Sequence, residues 1–95
     1  MTFTHIDGRD AGNIRLFALS TCVWCKKTKA LLEELGLAYD FVFVDHLEGD
    51  AKAQVMEEVR RHNPSCSFPT IVLGDGGRCI KGFQEDEIRQ LMGKP

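Results

Sequence analysis

The sequence predicts an α/β fold in which a mixed four-stranded sheet is flanked by three helices. Short apolar and β-branched runs alternate with segments whose apolar residues recur every three or four positions, in the order β-α-β-α-β-β-α. A helical crossover between the first two strands makes them parallel. A glycine-rich segment between the last two strands is typical of an antiparallel hairpin, so the sheet must be mixed.

The four predicted strands are short and each has its own composition. The first is mostly apolar, the second is rich in β-branched and aromatic residues, and Pro69 leads into the third. The turn signal Gly74-Asp75-Gly76-Gly77 joins the third strand to the fourth. The strands are predicted at Ile14–Leu19, Tyr39–Val44, Thr70–Leu73 and Arg78–Lys81.

Three helices complete the predicted order. The first carries an apolar stripe and stops at Gly36, the usual position for a helix-ending glycine. The second spans Glu48–His62 and ends before Asn63-Pro64. The third spans Gln84–Met92. Residues 1–13 are polar and contain glycine, so we expect a loose N-terminal leader before a single domain at residues 14–95.

Composition excludes several classes of function. The net charge of -2 leaves no basic face for nucleic acid. No apolar run approaches the roughly 20 residues that cross a bilayer, and the N-terminus lacks the apolar core of a secretory signal. We therefore expect a cytoplasmic monomer that binds neither nucleic acid nor membrane. In a reducing compartment, four cysteines indicate redox catalysis or metal binding rather than a disulfide framework.

The segment Cys22-Val23-Trp24-Cys25 lies where the first predicted strand passes into the first helix. The helix dipole and the unpaired N–H groups at a helix N-terminus both favour a thiolate, and Lys26 and Lys27 add positive charge nearby. The second cysteine lies about one turn further on, within reach of the first. Such a pair in a βαβ pattern indicates thiol–disulfide exchange, in which one thiolate attacks and the other resolves the mixed disulfide.

Pro69 opens the third strand within Ser67-Phe68-Pro69-Thr70. A proline at this position can hold a cis peptide bond in a tight turn, although trans is the commoner state. A cis bond would present the backbone N–H and C=O of Phe68 outward, where an extended peptide could pair with them. Together with the upstream C-x-x-C, the sequence favours the cis form.

Three segments of the chain resemble the glutaredoxin family, whose fold is thioredoxin-like. The stretch T-C-V-W-C-K-K-T-K-A-L-L, within residues 17–32, resembles the active-site segment of that family. F-P-T at 68–70 and K-G-F-Q-E-D-E-I at 81–88 resemble its cis-proline loop and its C-terminal motif. The resemblance covers residues 14–92 and implies that Cys22 is the exposed nucleophile, Cys25 the resolving thiol and Pro69 a cis-proline beside them.

The resemblance further implies an enzyme that reduces protein or small-molecule disulfides by a dithiol mechanism. We expect no metal and no tightly bound cofactor. The electron donor would be glutathione, another low-molecular-weight thiol or a thioredoxin-reductase-type enzyme, and the other partners would be disulfide-containing proteins. The residues predicted to bind substrate are Trp24, Lys26, Phe68, Pro69, Gly82 and Phe83.

Several positions depart from the usual glutaredoxin pattern. Leu19 stands where a lysine is common, and Cys66 stands where a basic or amide residue is common before the proline triplet. The residues that contact the α-amino group of glutathione are only partly preserved across 82–86. Loss of cations should weaken the capture of an anion with two carboxylates. Val23 and the G-F-x-x-D-x-I stretch resemble NrdH-redoxins, which thioredoxin reductase reduces.

Other functions remain open at this stage. A zinc site would need Cys66 and Cys79 as further ligands, but their spacing lacks a second C-x-x-C. An iron–sulfur module bridging two chains through glutathione, or a glutathione-dependent monothiol deglutathionylase that uses Cys22 alone, would also fit the motif.

Individual residues also have structural interpretations. Trp24 either contacts a partner or packs on the sheet edge, and Phe83 either borders the groove or belongs to the core. Cys66 is either a third redox thiol or a small loop residue. Cys79 is expected in the core, and the histidines are expected on the surface, at His5, His46 and His62.

Overall fold

A computed structural model of the chain describes residues 3–10, 12–74 and 78–91. The strands are β1 (Thr4–Ile6), β2 (Ile14–Ala18), β3 (Tyr39–Phe43), β4 (Thr70–Leu73) and β5 (Arg78–Lys81). The helices are α1 (Val23–Glu34), α2 (Gly49–His62) and α3 (Glu85–Gln90), and a single 3-10 turn follows β3 at Val44–His46. The α/β prediction is confirmed. The predicted inclusion of Met92 in the last helix, and residues 75–77 of the predicted turn, lie outside the described residues.

The five strands form one mixed sheet in the order β1-β3-β2-β4-β5. β2 and β3 are parallel, as the helical crossover predicted, and β4 pairs antiparallel with both β2 and β5. The fifth strand is β1, which pairs antiparallel with β3. The expectation of a four-stranded sheet is corrected by one strand, and the expectation of a loose leader is corrected over residues 4–6.

Backbone pairing holds this N-terminal segment, together with the partly buried side chains of Phe3 and Ile6. Thr4 and His5 are exposed, so β1 has no alternating apolar pattern that the sequence could reveal. Arg9 donates its N–H to the carbonyl of Gly36 at 2.7 Å and accepts from the N–H of Ala38 at 2.8 Å. Gly8 allows this approach, because a Cβ at that position would lie 2.6 Å from the carbonyl oxygen of Gly36.

Hydrophobic residues cover both faces of the sheet. Leu16 of β2 faces the cluster formed with α1 and α3, whereas the next residue, Phe17, faces the valines of α2. This alternation is expected for a strand with both faces buried, and Leu16 and Phe17 are fully inaccessible to solvent. None of the helices in residues 3–10, 12–74 and 78–91 is long and apolar enough to cross a bilayer.

The parallel pairing of β2 and β3 determines where polar loops can meet. Ala18 at the end of β2 lies opposite Phe43 at the end of β3. The chain continues from β2 into the segment that starts α1, and from β3 into the 3-10 turn. Both segments therefore emerge side by side at one edge of the sheet, the position at which open α/β sheets commonly carry their sites.

Candidate active site

Cys22 is the N-cap residue of α1 and lies at this edge of the sheet. Its backbone is extended, its N–H donates to the carbonyl of Leu19 at 3.2 Å, and its side chain is half-buried. The Sγ of Cys22 accepts a hydrogen bond from the backbone N–H of Cys25 at 3.2 Å. An N-cap acceptor takes up one of the unpaired donors at a helix start, and such donors stabilise negative charge on a thiolate sulfur.

Cys25 lies one turn further along α1 and has a different environment. It is 1% exposed, and its Sγ accepts the backbone N–H of Leu19 at 3.4 Å. Burial, followed by the hydrogen bond to Cys22, raises the pKa of the Cys25 thiol to about 12. Both cysteines are free thiols. The pair therefore consists of one accessible sulfur and one buried sulfur that stays protonated at neutral pH.

The loop before β4 brings a second element to the site. The Phe68–Pro69 peptide bond is cis, as predicted. Asn63, 1% exposed at the end of α2, donates through its side-chain amide to the carbonyl of Ser67 at 3.2 Å and to the hydroxyl of Thr70 at 2.9 Å. The Thr70 hydroxyl in turn donates to the Ser67 carbonyl at 2.7 Å. These bonds hold both ends of the proline loop.

A groove of about 230 Å³ runs between α1, the proline loop and the segment before α3. The Trp24 and Phe83 rings stack with centroids 5.6 Å apart and form one of its walls. Gly82 adopts a φ of 80°, which favours glycine, and donates its N–H to the carbonyl of Pro69 at 2.8 Å. The groove is lined by Trp24, Phe68, Pro69, Gly82 and Phe83.

The groove contains five of the six residues predicted to bind substrate. The sixth, Lys26, is exposed on the first turn of α1 and does not line the groove as far as the described residues show. Lys27 is the lysine that contacts this wall, with its Nζ 5.7 Å from the centroid of the Trp24 ring. Trp24 is 55% exposed and stacks on Phe83, which corrects the alternative that it packs on the sheet edge.

The remaining cysteines and histidines have varied surroundings. Phe83 borders the groove and also packs against the hydrophobic cluster that the sheet forms with α1 and α3, so both interpretations of this residue apply. Cys66 is half-buried with a φ of 52°, and Cys79 is half-buried on β5 rather than in the core. His62 is also half-buried, beside Glu58, whereas His5 and His46 are exposed as predicted. In the part of the chain that the structure describes, no three His, Cys, Asp or Glu side chains are grouped as metal ligands would be.

Two residues at the site were not singled out from the sequence. Asp45 accepts hydrogen bonds from both the N–H and the hydroxyl of Ser20, beside Cys22. Asn63 donates hydrogen bonds from its side-chain amide to residues on both sides of Pro69. The predicted parallel pairing was a usable signal for Asp45, because residues just beyond neighbouring parallel strands meet at one edge. Asn63 gave only the Asn-Pro signal that ends a helix, which says nothing of its long-range bonds.

Comparison with known proteins agrees with this geometry. The family model described as Glutaredoxin matches residues 14–78. The glutaredoxin of Methanosarcina mazei Go1 has a similar structure, with 49% identity and a TM-score of 0.88 over 99% of this chain and 90% of that one. Methanoredoxin of Methanosarcina acetivorans has 49% identity and a TM-score of 0.86, covering 92% and 90%. The glutaredoxin-like protein NrdH-redoxin of Escherichia coli has 25% identity and a TM-score of 0.70, covering 87% and 99%.

The fold is thioredoxin-like, and a close pair of cysteines stands at the start of its first helix, which together define a class of small thiol redox proteins. Within this class the chain belongs to the glutaredoxin family, since the family model covers more than half of its length. The resemblance predicted from the three sequence segments is confirmed.

Proposed function

We propose that this protein is a thiol–disulfide oxidoreductase that reduces disulfides of proteins by a dithiol mechanism through Cys22 and Cys25. The observation that carries this proposal is the difference between the two sulfurs. Cys22 is accessible at a helix N-terminus, whereas Cys25 is buried against it with a pKa raised to about 12 by burial. One sulfur is placed to attack an incoming disulfide, and the other is kept in reserve as a thiol.

In the first step the Cys22 thiolate attacks one sulfur of the substrate disulfide. The substrate S–S bond breaks, a bond forms between Cys22 and the attacked sulfur, and the other substrate sulfur leaves as a thiolate. The N–H of Cys25 and the positive end of α1 face the reacting sulfur of Cys22.

In the second step Cys25 loses its proton and attacks the sulfur of Cys22. The Cys22–Cys25 disulfide forms, and the second substrate sulfur leaves as a thiolate that solvent protonates. The substrate gains two electrons and the pair loses two. The N–H of Leu19, 3.4 Å from the Cys25 sulfur, favours the charged form that this step requires.

The groove supports a protein segment as the substrate. Its lining is aromatic and apolar and carries no charged side chain among the described residues. Neither the N–H nor the carbonyl of Phe68 makes a hydrogen bond to another described residue, so both groups are available to an extended peptide. Glutathione carries two carboxylates and an amine, and none of the described residues that line this groove has a charged side chain to pair with them.

For the same reason we propose a protein electron donor of the thioredoxin-reductase type. Leu19, at the position where many glutaredoxins carry a lysine, packs against the hydrophobic cluster on the α2 side of the sheet. This α2-side cluster consists of Phe17, Val42, Val44, Val55, Val59 and Val72. NrdH-redoxin of Escherichia coli, described as having a thioredoxin-like activity profile, is structurally similar to this chain. Both observations favour a donor that does not depend on capture of glutathione. We also propose that the protein acts in the cytoplasm, as the sequence led us to expect.

The test is reduction of insulin disulfides by the purified protein with two electron sources in parallel. One contains thioredoxin reductase and NADPH, and the other contains glutathione, glutathione reductase and NADPH. Turnover with thioredoxin reductase is expected. Turnover with glutathione alone would contradict the proposed donor while leaving the reductase function in place, and no turnover with either source would contradict the function.

Variants of the two cysteines test the dithiol assignment. Cys22→Ser is expected to lower insulin reduction by at least about a thousandfold, because the attacking sulfur is lost. Cys25→Ser is expected to accumulate a mixed disulfide with the substrate, detectable by mass spectrometry, because nothing resolves it. Full deglutathionylase activity in Cys25→Ser would instead favour the monothiol reaction.

A further inference from the structure

We propose that Asp45 is a positioning residue for the redox pair, which holds the turn of residues 19–22 against the buried sulfur of Cys25. This inference rests on the proposed function, because it concerns the second step of the same reaction. Asp45 lies on the 3-10 turn after β3, on a different element from both cysteines.

The sheet register brings Asp45 to this turn. Ala18 of β2 lies opposite Phe43 of β3 in parallel register. Ser20 and Asp45 each lie two residues further along their chains, so they also emerge side by side. The buried Val44, 2% exposed, anchors the 3-10 turn in the α2-side cluster.

The contact between Asp45 and Ser20 is a two-point clamp. The backbone N–H of Ser20 donates to one carboxylate oxygen at 2.9 Å, and its hydroxyl donates to the other at 2.5 Å. These bonds lower the pKa of Asp45, so the carboxylate is ionised at neutral pH. Hydrogen bonds to a charged acceptor are stronger than neutral ones, and two of them restrain both the position and the direction of Ser20.

The contact between Asp45 and Ser20 restrains the neighbouring residue Leu19, which makes hydrogen bonds with both cysteines. Leu19 precedes Ser20 and donates its N–H to the Cys25 sulfur at 3.4 Å, while its carbonyl accepts the N–H of Cys22 at 3.2 Å. Among hydrogen bonds to the Cys25 sulfur, the Leu19 N–H is the one that favours the thiolate. If Ser20 moves, this N–H moves with it.

The charge of Asp45 has the opposite effect on Cys25. A nearby negative charge disfavours a second one, and Asp45 contributes in this way to the raised pKa of the Cys25 thiol. The adjacent His46 also acts on Asp45 through its charge. The effects of the position and of the charge of Asp45 on the second step can therefore be separated. Loss of the contact with Ser20 should slow the attack by Cys25, whereas loss of the negative charge should favour the Cys25 thiolate and speed it.

The experiment follows the reaction of the reduced protein with an aromatic disulfide, dithiobis(nitrobenzoic acid), by stopped-flow absorbance. Attack by Cys22 releases one coloured aryl thiolate and leaves an aryl mixed disulfide. Attack by Cys25 on that disulfide releases the second aryl thiolate, forms the Cys22–Cys25 bond and gives the Cys25 proton to solvent. The two phases report the two steps separately, and all variants carry Cys66→Ser and Cys79→Ser so that only the pair reacts.

Asp45→Ala is expected to slow the second phase about tenfold, as loss of a charge-assisted hydrogen bond predicts, and to leave the first phase within about twofold. Asp45→Asn should restore most of the second-phase rate, because its amide oxygen still accepts the Ser20 N–H. Ser20→Ala removes one of the two bonds and should give a smaller slowing. The double variant should be no slower than Asp45→Ala, because both changes break one contact.

A second phase unchanged in both Asp45→Ala and Ser20→Ala would overturn the proposal. A second phase that is faster in both Asp45→Asn and Asp45→Ala would overturn it too, since the charge of Asp45 rather than its position would then control Cys25. Asp7→Ala, at the opposite end of the sheet, is the matched control. The reagent is not a protein substrate, so the result is readable even if insulin reduction fails, and Ser20→Ala alone tests the proposal if Asp45→Ala does not fold.

Discussion

The two ends of the central sheet use polar side chains in different ways. At the end that carries Cys22, the contact between Ser20 and Asp45 is exposed, but three polar side chains are buried and paired: Asn63, Thr28 and Thr70 are each at most 1% exposed and each makes a hydrogen bond. At the other end, the exposed His5 lies between Asp7 and Asp40. The first end holds the cysteine pair and the groove, whereas the second end carries exposed charged contacts beside the pairing of β1 with β3.

Access to solvent determines how much stability is lost when a polar contact is removed at each end of the sheet. When a buried polar group loses its partner, water cannot take the partner's place, so removal of the partner lowers stability strongly. An exposed ion pair exchanges its partner for water at little cost and is screened by salt. Substitutions of the buried polar residues at the redox end should therefore have large and local effects, and substitutions of exposed charged residues at the opposite end should have small ones.

The largest effect is expected for Asn63→Ala. Its buried amide donates to Thr70 and to the more exposed Ser67. Loss of these bonds should lower the free energy of unfolding by about 2–3 kcal/mol and reduce disulfide turnover, because the proline loop loses its support. Denaturant unfolding and insulin reduction measure the two effects. The exposed Asn13, at the opposite end, provides the control Asn13→Ala, and an equal loss of stability in both variants would contradict the comparison.

An intermediate effect is expected for Trp24→Ala. The ring forms one wall of the groove but is 55% exposed, so its loss should spare the fold. The KM for a protein disulfide should rise about tenfold, equivalent to about 1.4 kcal/mol, whereas the reaction with a small aromatic disulfide should not change. Val23→Ala is the matched control, because Val23 is similarly exposed but does not line the groove as far as the described residues show. Equal effects of both substitutions would contradict the assignment of this wall.

The smallest effect is expected for His5→Gln, and it should depend on pH. The hydrogen bond to Asp40 raises the pKa of His5, so charged His5 stabilises the pairing of β1 with β3. This contribution is fully present below the unfolded pKa of about 6.5 and is lost as pH rises through the raised folded value. Hydrogen exchange of the β1 and β3 amides across this range should show the loss in the wild type and no such dependence in the variant. A dependence that persists in His5→Gln would assign it to another group.

The sequence predicted most of the elements and much of the candidate site because both depend on local patterns. The alternation of strand and helix periods predicted the parallel crossover and the hairpin. The C-x-x-C placed both cysteines at the start of α1, and Pro69 taken together with this upstream motif predicted the cis bond. The short strand β1 was missed because it has three residues of which only Ile6 is even partly buried, so it carries no alternating apolar pattern.

Local pattern alone determined that this chain has two cysteines one helical turn apart, a proline turn before a strand and the sheet that carries both. Only the tertiary structure decided how the two cysteines differ. Cys25 became a buried thiol with a pKa of about 12 because the packed core removes water from it, and Asp45 reached Ser20 because parallel register aligned the ends of two strands. Burial and register are properties of distant segments brought together, so no stretch of sequence contains them by itself.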